Sequence, residues 1–262
     1  MKLCFMTFIC PEWALAEVLA AAERHGYDGV EPRVAAGHQH GIEPEMPASA
    51  RRQARAAFEA SPVSLACIAT SCRFATDDPT QRAANIEDLK RHIALAADLD
   101  APRIRVFGGA RPEGMELATA IAVVAEDLRA AADLAAQANV QVCLETHDDF
   151  SLGKTVGQVL ERANHPFVLA NWDVMHPWRA GEPLEETLRW LRGRIAHVHM
   201  HDDQEGKCVL PGDGDLPLAD DLAALRAMDF SGYRSAELWP DLGVPDFILA
   251  EYARRMRALM GG

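Results

Sequence analysis

Four residues at matching points of four apolar runs have the chemistry of a divalent-metal site. Glu145 ends VQVCLE, Asp173 ends FVLANWD, His199 lies in IAHVHM and Glu237 lies in RSAELW. Two glutamates, an aspartate and a neutral imidazole form a mixed oxygen and nitrogen set. Such a set suits Mn²⁺, Mg²⁺, Co²⁺ or Zn²⁺ better than a thiophilic ion. Three carboxylates crowded together would be raised in pKa without a cation among them, and one bound ion resolves the conflict. Taken singly, Glu145 has a plain role as a helix cap, Asp173 as an acceptor for backbone N–H groups and His199 as a hydrogen-bonded core histidine. The joint pattern favours a site, because all four follow apolar strand residues at the same place in their segments.

The chemistry expected of the set is proton abstraction next to a carbonyl. A divalent ion on a substrate carbonyl and its neighbouring hydroxyl stabilises the charge of the enediolate that forms as a carboxylate takes the α-proton. Glu145 and Glu237 are the expected acid and base, one removing the proton and the other returning it. Return to the same carbon is epimerisation, return to the next is isomerisation, and loss of a β-hydroxyl is dehydration. The residues alone do not separate these outcomes.

Other polar residues cluster near the four. In HVHMHD, a strand puts His197, His199 and His201 on one face. His199 is the expected ligand, His197 lies one layer deeper, and His201 with Asp202 sits above, at the rim. His147 follows Glu145 by two residues and is expected to touch substrate; His176 follows Asp173 by three and is a substrate hydrogen-bond donor or acid, a partner behind the metal ligands, or a plain loop histidine. Arg105 and Lys154 are placed to meet a carboxylate or phosphate or to be ion-paired, and Trp172, Trp178 and Trp239 to stack on a sugar face or simply to pack. His38 and His40 read as exposed loop residues rather than ligands.

What must position these residues is a β/α alternation. Short runs rich in Val, Ile and Cys, at 3–8, 28–32, 63–69, 103–107, 140–145, 167–173, 195–200 and 234–239, alternate with longer segments of helical period. Leu117, Ile121, Val124, Leu128, Ala131 and Ala135 form one such helical stripe. Gly26 falls where a helix C-terminus is expected and Pro217 in a first helical turn. Eight strand-helix units in this length predict a closed (β/α)₈ TIM barrel, one domain over 1–262, with its site at the C-terminal ends of the strands. An open doubly wound sheet would need a dinucleotide or phosphate loop, and FGGARPEG lacks the required glycine spacing.

Composition narrows the class further. A formal charge of −13 repels nucleic acid and anionic lipid. MKLCFMTFICPEW meets a proline too early for a membrane span and has no small-residue cleavage site, so a cytoplasmic protein is expected. Six scattered cysteines without a C-x-x-C pair read as reduced core thiols. The last helix, with Phe247, Ile248 and Tyr252, is either a homodimer or higher oligomer surface or part of the barrel wall.

GYDGVEPR, RVFGG, LETHDDF, NWDVMHP, HVHMHD and SAELWP, in this order through nearly the whole chain, resemble the xylose isomerase-like barrels, the sugar phosphate isomerases and epimerases. The resemblance implies that Glu145, Asp173, His199 and Glu237 bind one divalent metal and that the two glutamates act as acid and base. It also implies that His176, in an Asp-x-x-His resembling the ketose 3-epimerases, contacts substrate, and that Glu31 matches a glutamate common at the second strand end. Arg105, Trp239 and Glu31 join His147 and His176 as expected substrate contacts. Where the family often has His-x-Lys-Asp, this chain has His201 in place of the lysine.

The function this implies is a metal-dependent isomerase or epimerase of a small sugar or keto-polyol, with a dehydratase of the inosose dehydratase type as the alternative. An apurinic-site endonuclease would need further histidines from the early strands and an Asp-x-His after the seventh. Here GDGDLP supplies Asp213 and Asp215 and no histidine. A non-catalytic sugar-binding barrel would not need two glutamates on a metal.

Overall fold

The computed structural model describes residues 1–261. Its first half runs β1 (Lys2–Met6), α1 (Leu15–Arg24), β2 (Gly29–Glu31), α2 (Ala48–Glu59), β3 (Ser64–Leu65), β4 (Ile68–Arg73), α3 (Pro79–Leu99), β5 (Arg103–Phe107) and α4 (Leu117–Gln137). Next come β6 (Gln141–Glu145), α5 (Gly153–Ala163), β7 (Val168–Asp173), α6 (Met175–Arg179), α7 (Leu184–Leu191) and β8 (Ile195–Met200). The chain ends with β9 (Asp202–Gln204), β10 (Lys207–Val209), α8 (Leu218–Ala227), β11 (Tyr233–Ala236) and α9 (Pro245–Gly261).

Nine parallel strands form one sheet in the order β3-β2-β1-β11-β8-β7-β6-β5-β4. Because β3 and β4 are consecutive pieces of one chain segment, the two ends of the sheet meet. A bridge between Arg33 and Ala69 continues the β2 side along β4, with Val34 N–H donating to Ala69 O at 3.0 Å and Ala69 N–H to Pro32 O at 2.9 Å. The result is a TIM barrel of eight strand positions, the third split in two between Leu65 and Ile68.

Local signals explain the helix limits. Asp78 caps α3, accepting from Thr80 N–H and Gln81 N–H at 2.7 and 3.1 Å, with Pro79 in the first turn. The chain leaves α1 through Gly26 at φ +70°, a left-handed step that glycine makes without strain. Along α4, Val124, Leu128, Ala131 and Ala135 of the expected stripe are buried, and Leu117 and Ile121 are half-buried at its start.

Inside the barrel, Cys4, Ala66 and Tyr233 pack together in the lower layers. A Cβ on Gly29 would come within 2.7 Å of the Tyr233 ring, so glycine in β2 makes room for that plug. All six cysteines are free thiols, and only Cys208 is not fully buried. In α9, Ile248 and Tyr252 face the barrel wall, while Phe247 and the adjacent Val244 are the exposed apolar residues. No described helix is long and apolar enough to cross a membrane.

Two features depart from the expected elements. The eighth strand stops at Ala236, so Glu237 lies just beyond it. Between β8 and α8 the chain makes an antiparallel hairpin, β9–β10, absent from the sequence reading. Its signal was Glu205-Gly206: both residues have positive φ, +50° and +87°, the two-residue turn that matches the twist of a hairpin.

Candidate metal and active site

Strand register brings the four predicted ligands together. Glu145 pairs with Asn171 between β6 and β7, Asp173 with His199 between β7 and β8, and His199 with Ser235 between β8 and β11, two residues before Glu237. Ligand atoms of Glu145, Asp173, His199 and Glu237 all lie within 4.8 Å of one another. His199 is central: its Nδ1 is 2.7 Å from Glu145 Oε1 and 3.1 Å from Glu237 Oε2.

The donors fit a divalent ion. Asp173 is fully buried; its Oδ1 accepts from Met175 N–H at 2.8 Å, while Oδ2 has no hydrogen-bond partner. Burial, then the charges of Glu237 and Glu145, push the Asp173 carboxyl well above its ordinary pKa. An orphaned carboxylate oxygen facing three further ligands is the arrangement a cation completes. Burial alone would make His199 less basic, but Glu31, Glu145 and Glu237 outweigh it and raise its pKa well above the ordinary value. In Glu237 burial works upward, yet the charge and hydrogen bond of His199 hold it below the usual carboxylate range.

A second layer holds the ligands. Glu31, fully buried, sits beneath His199, with Oε1 and Oε2 at 3.1 and 3.2 Å from its Nε2. The same carboxylate reaches His197 Nε2 at 2.8 Å, so His197 lies one layer deeper as expected. A carboxylate on the far nitrogen of a metal-binding histidine fixes its tautomer and orientation. Arg105 stands behind Glu145, Nε 3.2 Å from Oε2, and donates through Nη1 to Thr70 O at 2.9 Å. Thr146 ties β6 to β7, accepting from Asp173 N–H at 2.9 Å and donating to Asp173 O at 3.0 Å.

Above the cluster opens a cleft of about 500 Å³, lined in part by His147, His176, Glu237, Trp239 and, from β10, Lys207 and Cys208. The rings of His147 and His176 lie 4.2 Å apart, and His176 Nε2 is 4.0 Å from Asp173 Oδ2. Burial and the neighbouring His147 push His176 down to about 4, so its imidazole is neutral near pH 7. Other cavities, such as one of about 720 Å³ beside α7 and lined by Leu184, Leu188 and Arg192, contain none of these groups. Chemistry, not volume, marks the cleft.

Several expectations are corrected by this geometry. Glu31 and Arg105, expected to touch substrate, are buried against His199 and Glu145 and do not line the cleft. His201 and Asp202 are not at a rim: both are buried. His201 packs edge-on to Trp239 at 5.3 Å, and burial drops its pKa to about 4. Asp202 accepts four backbone N–H groups, from Asp203, Gly212, Gly214 and Leu216, and so fixes the loop after the hairpin. His38 and His40 are buried, not exposed; His40 accepts from Ile42 N–H at 3.0 Å and His38 lies 3.3 Å from Thr7 Oγ1. Trp172 is turned into the core, Trp178 is exposed, and Lys154 is exposed at the start of α5. Among the polar residues lining the cleft, sequence reading missed the Arg179–Asp203 pair and Lys207; it also missed Arg33, just past β2 and not in that lining, for which the two-residue spacing from Glu31 was the available signal.

Comparison with known proteins places this arrangement in context. The solved structure of an IolI protein with a bound zinc atom matches with a TM-score of 0.84 at 19% identity, covering 99% of this chain and 96% of that one. The probable 3-DHS dehydratase AsbF of Bacillus anthracis matches at 0.80 and 19% identity over 98% and 99% of the two chains. D-psicose 3-epimerase, solved in the presence of D-fructose, matches at 0.78 and 17% identity over 100% and 97%. Among curated proteins, a 3-dehydroshikimate dehydratase of Bacillus anthracis is 30% identical over 125 residues, 44% of this chain. That match spans 42% of the relative's length, less than half of it. Residues 19–259 match the family described as xylose isomerase-like TIM barrel, and the chain belongs to that family.

Proposed function

We propose that this protein is a divalent-metal-dependent enzyme that removes a proton next to a carbonyl of a small sugar or keto-polyol and returns it as an isomerase or epimerase. The observation that carries the reading is the convergence of Glu145, Asp173, His199 and Glu237, with Asp173 Oδ2 buried and unpartnered among them. When bound there, a divalent ion supplies Lewis-acid stabilisation of the charge that develops on the substrate oxygens.

The chain's own residues divide the remaining work. Glu237 is the one carboxylate of the cluster that also lines the cleft, so it is the group we assign to proton removal. The charge and hydrogen bond of His199 keep it ionised near neutral pH, the form a base must start from. Glu145 is buried between Arg105 and His199 and does not line the cleft; its assignment as the partner acid and base rests on the sequence pairing with Glu237 alone. His147 and His176, neighbours on the cleft wall, are assigned to substrate hydroxyls, and Trp239 to one face of the substrate.

Dehydration is the second reading, favoured by one observation: the curated relative with 30% identity over 125 residues is named a 3-dehydroshikimate dehydratase. Both readings share the first proton transfer. Protein loaded with Mn²⁺ or Zn²⁺ and desalted should hold one ion per chain by mass spectrometry, and a Glu145→Gln, Glu237→Gln double variant should lose it. Solvent deuterium should appear in recovered substrate of an epimerase or isomerase, and a dehydrated product should appear instead for a lyase. No ion in either protein would overturn the site; turnover without deuterium or dehydration would overturn proton abstraction.

A further inference from the structure

We propose that the mouth of the barrel is built for a substrate bearing a carboxylate, held against Arg33 while the substrate's carbonyl and hydroxyl oxygens face Glu237. The inference rests on the proton-abstraction reading above and names the substrate class for it.

Arg33 follows Glu31 by two residues in extended chain, so it lies on the barrel side of β2, one layer nearer the mouth. Its guanidinium is half-buried and donates only to neutral acceptors: Nη1 to Val34 O at 2.9 Å and to Ala69 O at 3.3 Å, and Nη2 to Ser71 Oγ at 2.7 Å. No carboxylate lies within 4.0 Å of it among the described residues. Burial and the nearby Arg105 push Arg33 down to about 10, with Arg73 adding to the effect and Glu237 and Glu145 partly offsetting it. A confined cation with two further cations near it and no carboxylate in contact can take a counter-ion, and a substrate anion would supply one.

The neighbouring cations are already occupied. Arg105 is paired with Glu145, and Arg73 stands 3.8 Å from Asp148. Both lie over the Phe107 ring, at 4.0 and 5.1 Å from its centroid. On the metal-cluster side the cleft holds Arg179, paired with Asp203, and Lys207, while Arg33, Arg73 and Arg105 stand on the β2–β5 side. A planar guanidinium with no carboxylate in contact matches the fork of a carboxylate, which takes two parallel N–H bonds from it. A phosphate would also call for a cradle of backbone N–H groups, and the sequence offers no such loop.

Arg33 also stitches β2 to β4 through Ala69 O, and a purely structural clamp would show itself as lost stability without any change in ligand charge preference. The test therefore reads charge preference. Binding of shikimate and of its neutral methyl ester, and of D-ribulose 5-phosphate and D-ribulose, is measured by calorimetry on Mn²⁺-loaded wild type, Arg33→Met and Arg33→Lys, with metal content checked in each. We expect wild type to prefer shikimate over its ester by about tenfold or more, Arg33→Met to bind the two within about twofold, and Arg33→Lys to recover part of the preference.

Equal binding of acid and ester by wild type, a preference that survives Arg33→Met, or no binding of either compound would overturn the proposal. A preference confined to the phosphate pair would overturn it in favour of a phosphorylated substrate. Charge preference without proton exchange or dehydration of any substrate would remove the catalytic reading and leave the carboxylate site standing. Catalysis on neutral ketoses with no charge preference would do the reverse.

Discussion

Glu31 holds His199 from below: both of its carboxylate oxygens lie within 3.2 Å of Nε2, while Nδ1 of the same ring faces Glu145 and Glu237. The ring is thereby committed to presenting Nδ1 to the cluster. Replacing Glu31 by Gln keeps the shape and removes the negative charge that makes the imidazole a stronger ligand. We expect Glu31→Gln to fold and to weaken metal affinity by about 10–100-fold, the range usual for such outer partners. Competition against a fluorescent chelator would measure it. Wild-type affinity in the variant would show that Glu31 serves only the packing around His197.

Crowding of Asp173 with Glu145 and Glu237 predicts how the protein responds to metal. With the carboxylates unneutralised, Asp173 is pushed toward its protonated form by burial and by its two neighbours. A bound ion removes that conflict and stabilises only the folded chain. At a concentration about 1,000 times its dissociation constant, this amounts to roughly 4 kcal/mol. For a chain of this size that is a rise in Tm on the order of 10 °C. The Glu145→Gln, Glu237→Gln variant should show no rise on adding Mn²⁺, and an equal rise in that variant would place the ion elsewhere.

The barrel and the four-residue cluster were legible because both are periodic facts. Apolar runs fixed where strands end, and four ligands at those ends could only converge if the sheet closed. Depth within the barrel was harder to read. Glu31, His201 and Asp202 lie at strand ends as the ligands do, and Arg105 lies within β5, yet each turns to a protein partner instead of the cleft. Which of these it does depends on neighbours distant in sequence, such as Arg105 on β5 meeting Glu145 on the adjacent β6, and spacing along one strand does not encode that. The hairpin was missed for a different reason: its strands are three residues each and too polar to show alternation.

Asp221 gives the protein a pH dependence separate from the metal site. It is buried in the first turn of α8, and burial, with Asp220 adjacent, raises its carboxyl to about 7. Unfolded, it titrates near the ordinary value of about 3.9. Between these values the folded state binds the proton more tightly, so stability falls as pH rises from about 4 to about 7. Asp221→Asn removes the charge and should leave stability unchanged near pH 4 while raising it above pH 8, by on the order of 4 kcal/mol. Thermal melts of both proteins across this range would test it, and a constant difference at every pH would remove Asp221 as the cause.

Asp202 predicts a loss of a different kind. Oδ1 accepts from Asp203 N–H at 2.9 Å and Leu216 N–H at 3.1 Å, and Oδ2 accepts from Gly212 and Gly214 N–H at 2.8 and 3.1 Å. The loop can wrap this closely because Gly214 has no side chain: a Cβ there would stand 2.3 Å from Oδ1. Asp202→Asn puts an amide donor where two N–H groups already point, losing two charge-assisted bonds worth about 1.5–3 kcal/mol each. We expect urea denaturation to show a loss of about 3 kcal/mol or more, and limited proteolysis to cut first between residues 205 and 216. Because β9 begins at Asp202 and β10 lines the cleft, turnover should fall with it, while metal content stays at the wild-type level. A variant that keeps its stability but loses its metal would show instead that Asp202 acts through His199.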